Sequence, residues 1–420
     1  TLEDLDYLSG LKGNDGKPIF DEGFLNYLRN LEFTCDVDAP PEGTVVFPQE
    51  PILRIQGPII QGQILETPLL NILNYQSLIA TKAARICLAA KGDPVLEFGL
   101  RRAHGMDGAL LASRAAFVGG CVGTSNVLAG QVYGIPVKGT HAHSWVMSFD
   151  DEMEAFLAYA QAMPNNCTLL VDTYNSLDGV HKAVEVGRWL RERGHHLAGI
   201  RLDSGDLAYL SIQARKILDE AGFKSTVIVA SNDLDEHLIK SLKDQGAPIN
   251  VWGVGTRLVT GYDQPALGGV YKLTAVRSPG QDWQYRLKLS EQSVKISTPG
   301  ILQVRRFTDD DGQLSADCIF DILHPPKGDV RIIDPLDPTR QKMLPKSMPQ
   351  EDLLTAVFRK GKAVYESPDL NAMQNRTRSQ LARLHWAIKR FENPHQYPVG
   401  LESGLHELRT RMVLKARGLR

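Results

Sequence analysis

The sequence predicts an α/β protein built on a parallel sheet, a barrel of successive βα units, joined to a smaller β-rich part. Three observations carry this. From Val95 to about Val276 short apolar runs ("IPVKG", "CTLLVD", "LAGIRLD", "STVIVAS", "INVWGVG") alternate with amphipathic helical patterns ("DDEMEAFLAYAQAM", "LDGVHKAVEVGRWLRERG", "DLAYLSIQARKILDEAG", "DLDEHLIKSLKDQG"), the signature of strands joined by crossover helices. Val137, Leu170, Ile200, Val229 and Val251 recur at spacings of 33, 30, 29 and 22 residues, as a barrel of repeated units requires. Strand-like text lies on both sides of this region.

Taken in order, residues 1–75 read as short helical pieces followed by strands. "GTVVFPQEPILRIQGPIIQGQILE" has β-branched runs cut by Pro and Gly, the punctuation of a β-rich module. "LLNILNYQSLIATKAARICLAA" then places apolar residues three and four apart, a helix. "GGVYKLTAV" reads as a further apolar run of the alternating region; after Tyr271 "YKLTAVRSPGQDWQYRLKLSEQ" and "ILQVRRFTDDDGQLSADCIFDILH" read as strands, and the last segment, ending "LHELRTRMVLKARGLR", as helical and basic. The expected division is a discontinuous domain from 1–90 and 277–345, a barrel over 91–276, and a C-terminal helical extension over 346–420.

At 420 residues the chain exceeds the roughly 250–300 at which single cores stop growing, so more than one domain is expected. A net charge of −2, from 47 Lys and Arg against 49 Asp and Glu, offers no basic excess for a phosphate backbone, and nucleic acid is not expected as a partner. No apolar run reaches the length of a membrane span, and the N-terminus, "TLEDLDYLSG", is acidic where a secretory signal is basic. Five scattered cysteines without a Cys-x-x-Cys pair fit a reducing cytoplasm. The chain starts at Thr1 without an initiator methionine, which leaves a missing N-terminal segment open.

In a barrel, reactive groups gather where each strand meets the following loop. Polar residues collect at those ends here: Thr140-His141-Ala142-His143-Ser144, Asp172-Thr173-Tyr174-Asn175, Arg201-Leu202-Asp203-Ser204-Gly205-Asp206, Ser231-Asn232-Asp233 and Gly253-Val254-Gly255-Thr256-Arg257. "GVGTRLVTG" offers accessible amides, a hydroxyl and a guanidinium, the parts of a phosphate monoester site, or it is a plain tight turn. It lacks the Lys-Ser/Thr of a Walker loop and the third Gly of a dinucleotide fingerprint. In "RLDSGD" Asp203 reads as functional, whereas Asp206 can equally be a helix N-cap. His141 and His143 admit three readings: a metal pair, a structural core pair, or one nucleophilic or acid–base ring. His181, His195, His196 and His237 fall within or behind helical text, leaving too few further ligands for the metal reading.

"EFGLRRAHGMDGALLASRAAFVGGCVGTSNVLAGQVYGIPVKGTHAHSWVMSF", followed by "RLDSGDL", "VIVASNDLDE", "WGVGTRLVT" and "KLSEQSVKISTPGILQV" in that order, resembles the nicotinate phosphoribosyltransferase family over roughly residues 95–305. The resemblance implies an irregular α/β barrel of the type II phosphoribosyltransferase kind with an open-faced α/β sandwich. It implies a homodimer with the active site near the interface. The implied reaction joins nicotinate and phosphoribosyl pyrophosphate into nicotinate mononucleotide and pyrophosphate, with Mg2+, coupled to ATP hydrolysis through a phosphohistidine, as the first step of NAD salvage from nicotinate. The family's Gly-Thr-x-x-His-Ser pattern places that histidine at His143, with His141 at a variable position. Arg101 and Arg201 would face the pyridine carboxylate, with Ser125 and Thr140 also touching substrate. Asp203 would accept from the ribose hydroxyls. Gly255, Thr256 and Arg257 would hold the 5′-phosphate, helped by Ser231 and Asn232. The family's N-terminal Asp-Leu-Tyr segment, whose Tyr stacks on the pyridine, has only Asp6-Tyr7-Leu8 as a poor counterpart.

Two related activities and one from another class compete with this reading. A nicotinamide-specific relative carries Asp where Ser125 stands, and a carboxylate there would repel nicotinate. Quinolinate, a dicarboxylate, calls for a denser basic cluster. A barrel that binds a phosphorylated metabolite as a sensor would have lost part of the set His143, Arg201, Asp203 and Arg257, all of which are present.

Overall fold

A computed structural model describes residues 1–419. Six short parallel strands form the central sheet: β1 (Val95–Glu97), β2 (Gly123–Thr124), β3 (Thr168–Leu170), β4 (Gly199–Leu202), β5 (Val227–Ala230) and β6 (Val251–Val254), in the order β2-β1-β6-β5-β4-β3. Its registers include Leu96 with Gly123, Leu96 with Gly253, and Leu169 with Ile200. Trp252, Ile200, Leu202 and Leu169 are fully buried, because helices over 176–192, 207–220 and 236–244 cover apolar strands that read as continuous rather than alternating runs. The expected strand around Val137 is reduced to a single parallel bridge from Val137 to Thr124 at the β2 edge. The sheet is therefore an open barrel, with β3 at its other edge.

The helix expected from "LLNILNYQSLIATKAARICLAA" spans Glu66–Ala90 and packs along Gly105–Gly119. Gly119 permits this: a Cβ there would stand 2.4 Å from the Ala80 carbonyl oxygen.

The second part is a six-stranded sheet in the order 341–344, 330–333, 399–402, 314–321, 302–308, 350–352, beside a four-stranded sheet in the order 362–363, 355–359, 36–39, 54–56. Pairing of Asp36–Ala39 with Thr355–Arg359 joins distant parts of the chain. The helical expectation for 346–420 holds for Leu370–Ala382 and Ser403–Ala416, but the same stretch supplies strands at 350–352, 355–359, 362–363 and 399–402. The reason is visible in "TAVFR" and "VGLE": each is too short to show a period, and Val399–Glu402 is a strand only because Leu314–Asp321 and Val330–Ile333 flank it. Helix 370–382 docks on the barrel, Gln374 donating to the carbonyl oxygens of Phe117 and Cys121 at 2.5 and 2.9 Å.

Two other stretches differ from the β reading. Within 43–66 only Arg54–Gln56 is a strand, and Ile59–Ile64 is helical, entered at Pro58 with φ −58°, which pre-sets a helix start. Residues 268–290 keep just a two-residue ladder, Ala275–Val276 with Gln284–Tyr285.

Candidate active site at the barrel mouth

The loops after the C-terminal ends of β1 to β4 enclose a cavity of about 230 Å3 lined by Phe98, Arg101, Ser125, Thr140, His143, Arg201 and Asp203 among others. Arg201, next to last in β4, is its hub. Its Nε donates to Ser231 Oγ at 2.8 Å, Nη1 to Thr140 Oγ1 at 2.8 Å and Nη2 to Asp203 Oδ1 at 2.9 Å. Every arm of the guanidinium is thus engaged, which fixes a planar fork aimed across the pocket. Ser231 also donates to Asp203 Oδ1. Burial alone would raise the Asp203 carboxyl, but the Arg201 charge, the hydrogen bonds from Ser231 and Arg201, and His143 hold it below its ordinary value.

His143 opens a four-residue helix, and its Nδ1 lies 3.2 Å from Thr173 Oγ1. Its Nε2 faces two carboxylates, Asp203 Oδ2 at 3.6 Å and Asp172 Oδ1 at 3.9 Å. Asp172 is buried, accepts from Asp203 N at 2.8 Å and Ser204 Oγ at 2.6 Å through Oδ2, and leaves Oδ1 without a hydrogen-bond partner among the described residues. His141, also at the cavity wall, is mostly buried and turns its Nε2 to the Leu170 amide at 3.2 Å. Burial among aromatic side chains pushes its pKa down to about 4, so the ring is neutral.

Beneath the opposite wall lies a polar cluster that sequence reasoning missed. Glu97, 1% exposed, accepts from Gly99 N, from Ser113 Oγ at 2.8 Å and from Thr124 Oγ1 at 2.6 Å. Gly99 begins the turn that carries Arg101, and Thr124 precedes Ser125, so one carboxylate ties both loops to the strand ends. A Cβ at Gly99 would stand 2.2 Å from Val259 Cγ1, so this turn sits directly on the helix over Thr256–Val259.

The structure brings Arg101, Ser125, Thr140, His143, Arg201 and Asp203 to one cavity, with Ser231 bonded at its edge. Asn232, Gly255, Thr256 and Arg257 do not line it. Arg257 instead donates to buried Asp235 at 2.5 Å and stacks 4.6 Å from the Tyr262 ring centre. Asn232 and Asp233 take positive φ values of 101° and 41°, a strained pair of a kind that collects at ligand loops. Asp206 is the N-cap of helix 207–220, accepting from Tyr209 N at 3.0 Å. Tyr7 is 69% exposed on the N-terminal helix and lines no part of the cavity, whose aromatic wall is Phe98, 5.9 Å below the Arg201 guanidinium. Asp172 and Thr173 belong to a strand-end group visible in the sequence, whereas Glu97 ends and Phe98 follows β1, a strand the quoted apolar runs do not include. For Asp172 and Thr173 that position was the available signal.

Which residues could hold a divalent cation is answered by the carboxylates. Among the described residues no group of three His, Cys, Asp or Glu side chains forms a cage. The Asp172 and Asp203 pair, with the unpartnered Asp172 Oδ1, fits an ion of the Mg2+ type, which takes one or two carboxylates and completes its shell with water and substrate phosphate.

Comparison with known proteins agrees along the whole length. Residues 1–74 match the nicotinate phosphoribosyltransferase N-terminal domain, 94–282 the nicotinate phosphoribosyltransferase family, and 302–409 its C-terminal domain. The chain is similar to nicotinate phosphoribosyltransferase of Bacillus subtilis, 42% identical over 98% of this chain and 84% of that protein, and to the human enzyme, 35% identical over 93% and 82%. The crystal structure of human nicotinic acid phosphoribosyltransferase superposes with a TM-score of 0.84 at 32% identity, covering 98% of this chain and 88% of that one. Nicotinate-nucleotide pyrophosphorylase of Pyrococcus furiosus superposes with a TM-score of 0.65 at 26% identity, covering 84% and 81%. Three consecutive family domains and a cavity built at the barrel strand ends place this chain in the nicotinate phosphoribosyltransferase family of phosphoribosyl-transferring enzymes.

Proposed function

We propose that the chain transfers phosphoribosyl from phosphoribosyl pyrophosphate to nicotinate, yielding nicotinate mononucleotide and pyrophosphate, with ATP hydrolysis coupled through phosphorylation of His143. The observation that carries the coupling is the environment of His143. Thr173 Oγ1 at 3.2 Å occupies Nδ1, and Nε2 is left facing the two carboxylates from a half-exposed ring that ATP can reach.

The chemistry follows from the residues. Displacement at the ribose C1 develops positive charge on the sugar and negative charge on the departing pyrophosphate, so a site must hold both substrates in line and neutralise phosphate oxygens. Arg101 and the Arg201 fork match the pyridine carboxylate, Ser125 can donate to it, and Phe98 offers the ring an apolar face. Asp203, held ionised by Arg201 and Ser231, is an acceptor for ribose hydroxyls. Gly255, Thr256 and Arg257, with Ser231 and Asn232, would take the 5′-phosphate, Arg257 exchanging Asp235 for it. Mg2+ held by Asp172, Asp203 and substrate oxygens would supply charge neutralisation at the leaving group. A phosphoryl group on His143 Nε2 stands against two carboxylates, which makes it a high-energy group and gives its release a use in driving the cycle.

The exposed apolar side chains Val127, Leu128 and Val132, on the helix just after Ser125, support a homodimer that covers this rim. Five free thiols support a reducing cytoplasm, and the reaction belongs at the entry of nicotinate into NAD salvage. No described helix is long and apolar enough to cross a membrane. Purified protein given phosphoribosyl pyrophosphate and Mg2+ is expected to release pyrophosphate only when nicotinate is added, and faster with ATP. No release on adding nicotinate would sink the proposal.

A further inference from the structure

His141 lies where the barrel is open. One edge of the sheet ends at the Val137 bridge to Thr124, the other at β3. Along β3 the Val171 amide donates inward to the Arg201 carbonyl oxygen at 3.2 Å, so by the alternation of a strand the Leu170 amide points out of the sheet, toward the opening. A buried amide there needs an acceptor. No strand supplies one. The His141 ring does: its Nε2 accepts from Leu170 N at 3.2 Å. With Nε2 an acceptor, Nδ1 carries the proton, and it lies 3.3 Å from the Ala142 carbonyl oxygen, which takes that proton's hydrogen bond. The two contacts demand the same tautomer. Tyr159, edge-on at 4.7 Å between ring centres, and Phe156 at 6.2 Å hold the ring in place, and only 8% of the residue is exposed.

We propose that His141 is a positioning residue: its side chain closes the barrel seam in place of a strand and so sets His143 against Asp172 and Thr173. The argument is one of connectivity. His143 lies two residues beyond His141, and Asp172 and Thr173 lie two and three residues beyond Leu170. The Leu170 bond therefore fixes the distance between two loops whose tips meet at His143. Without it, one loop carries the histidine and the other its two partners, and the direct bond between them at the base of the seam is lost, leaving the Arg201 bond to Thr140 to tie the His141 loop to the sheet. The low pKa of His141 supports this, because a protonated ring could not accept. Its effect on turnover rests on the phosphohistidine reading above, whereas the seam itself does not.

The test compares H141Q, whose amide oxygen can take the acceptor place of Nε2, with H141L, which fills the space without an acceptor. Hydrogen exchange at the Leu170 amide is expected to be slow in the wild type and H141Q, and about tenfold or more faster in H141L. ATP-coupled kcat is expected to fall roughly three- to tenfold in H141L and to recover in H141Q, with the KM for nicotinate within about twofold throughout. Unchanged Leu170 exchange in H141L, or H141Q as impaired as H141L, overturns the proposal. Should H141L not fold, nitrogen NMR of the wild type decides: a proton on Nδ1 at neutral pH supports the seam, and a proton on Nε2 overturns it. If Leu170 exchange rises as expected but no variant, nor the wild type, takes phosphate at His143, the coupling reading fails while the seam stands.

Discussion

His143 Nε2 stands 3.6 Å from Asp203 Oδ2 and 3.9 Å from Asp172 Oδ1. Asp172 receives the Asp203 amide at 2.8 Å, so the two carboxylates are mutually fixed and the ring sits against a rigid acidic wall. Its neighbour His141 is buried, neutral and turned into the seam. The two histidines of "THAHS" thus differ in everything that matters to a nucleophile: access, free nitrogen and partners.

From this contrast His143, not His141, is expected to carry phosphate from ATP. His143→Ala should abolish coupled ATP hydrolysis yet keep some phosphoribosyl transfer, since the arginine and ribose contacts survive. Acid-labile label from γ-labelled ATP, located by peptide mapping, checks this. Label that persists in His143→Ala and vanishes in His141→Ala would reverse the assignment.

Nicotinate should be used far better than nicotinamide. Arg201 is locked by Ser231, Thr140 and Asp203, so its charge stays fixed in the cavity proposed to take the pyridine carboxylate, and Ser125 adds no negative charge. A competition between the two substrates in one reaction measures the preference. Preference for the amide would overturn the roles given to Arg101, Arg201 and Ser125 while leaving the reaction class standing.

The Arg257 guanidinium rests on Asp235 and Tyr262, outside the cavity. If it exchanges that partner for the 5′-phosphate, Arg257→Ala removes a charge-assisted contact of about 1.5–3 kcal/mol and raises the KM for phosphoribosyl pyrophosphate roughly 10- to 150-fold. Substrate titration in a folded variant, confirmed by circular dichroism, is the measurement. An unchanged KM would make "GVGTRLVTG" a turn only.

Stability should fall as pH drops from about 6.5 toward 4. The folded pKa of His141 is depressed to about 4 from 6.5, so in that window the unfolded chain binds a proton that the folded chain does not. The full effect is on the order of 3 kcal/mol, complete below about pH 4. Thermal midpoints of wild type and H141Q, compared at pH 7 and pH 5, isolate it from other groups. Parallel pH dependence in the two proteins would refute it.

The barrel was legible because crossover helices repeat: each unit carries its own 3.6-residue period, and the strand ends followed from that spacing. His143, Arg201 and Asp203 were legible because they sit at those ends. The sandwich was legible only in part: "ILQVRRFTDDDGQLSADCIFDILH" reads as strands and forms Leu302–Thr308 and Leu314–Asp321, whereas the strands after residue 345 do not show. Val399–Glu402 and Thr355–Arg359 are strands through partners hundreds of residues or several elements away, Phe358 pairing with Val37 and Leu401 with both Ile319 and Ile333, and no local period marks such a strand. Phe98 and Glu97 were missed for a related reason. One residue of the pair faces the pocket and the next faces the core, and only the register of β1 between β2 and β6 says which.

Glu97 gives the last prediction. Its carboxylate accepts from three neutral donors, one holding the Arg101 turn and two holding the Ser125 side, and none of its partners is a cation. Glu97→Gln keeps the shape but replaces one carboxylate oxygen by an NH2 donor, so either Gly99 N loses its acceptor or the Ser113 and Thr124 hydroxyls must turn to accept and give up the bonds they donate to the carboxylate. That costs about 1–3 kcal/mol of stability. Because both tethered loops carry residues proposed to face the pyridine, Arg101 and Ser125, the KM for nicotinate should rise while the KM for phosphoribosyl pyrophosphate stays near the wild-type value. Steady-state kinetics with each substrate varied in turn, beside a thermal melt, reads both effects. A melt lowered without any change in the nicotinate KM would mean that the cluster holds the barrel together and does not set the pocket.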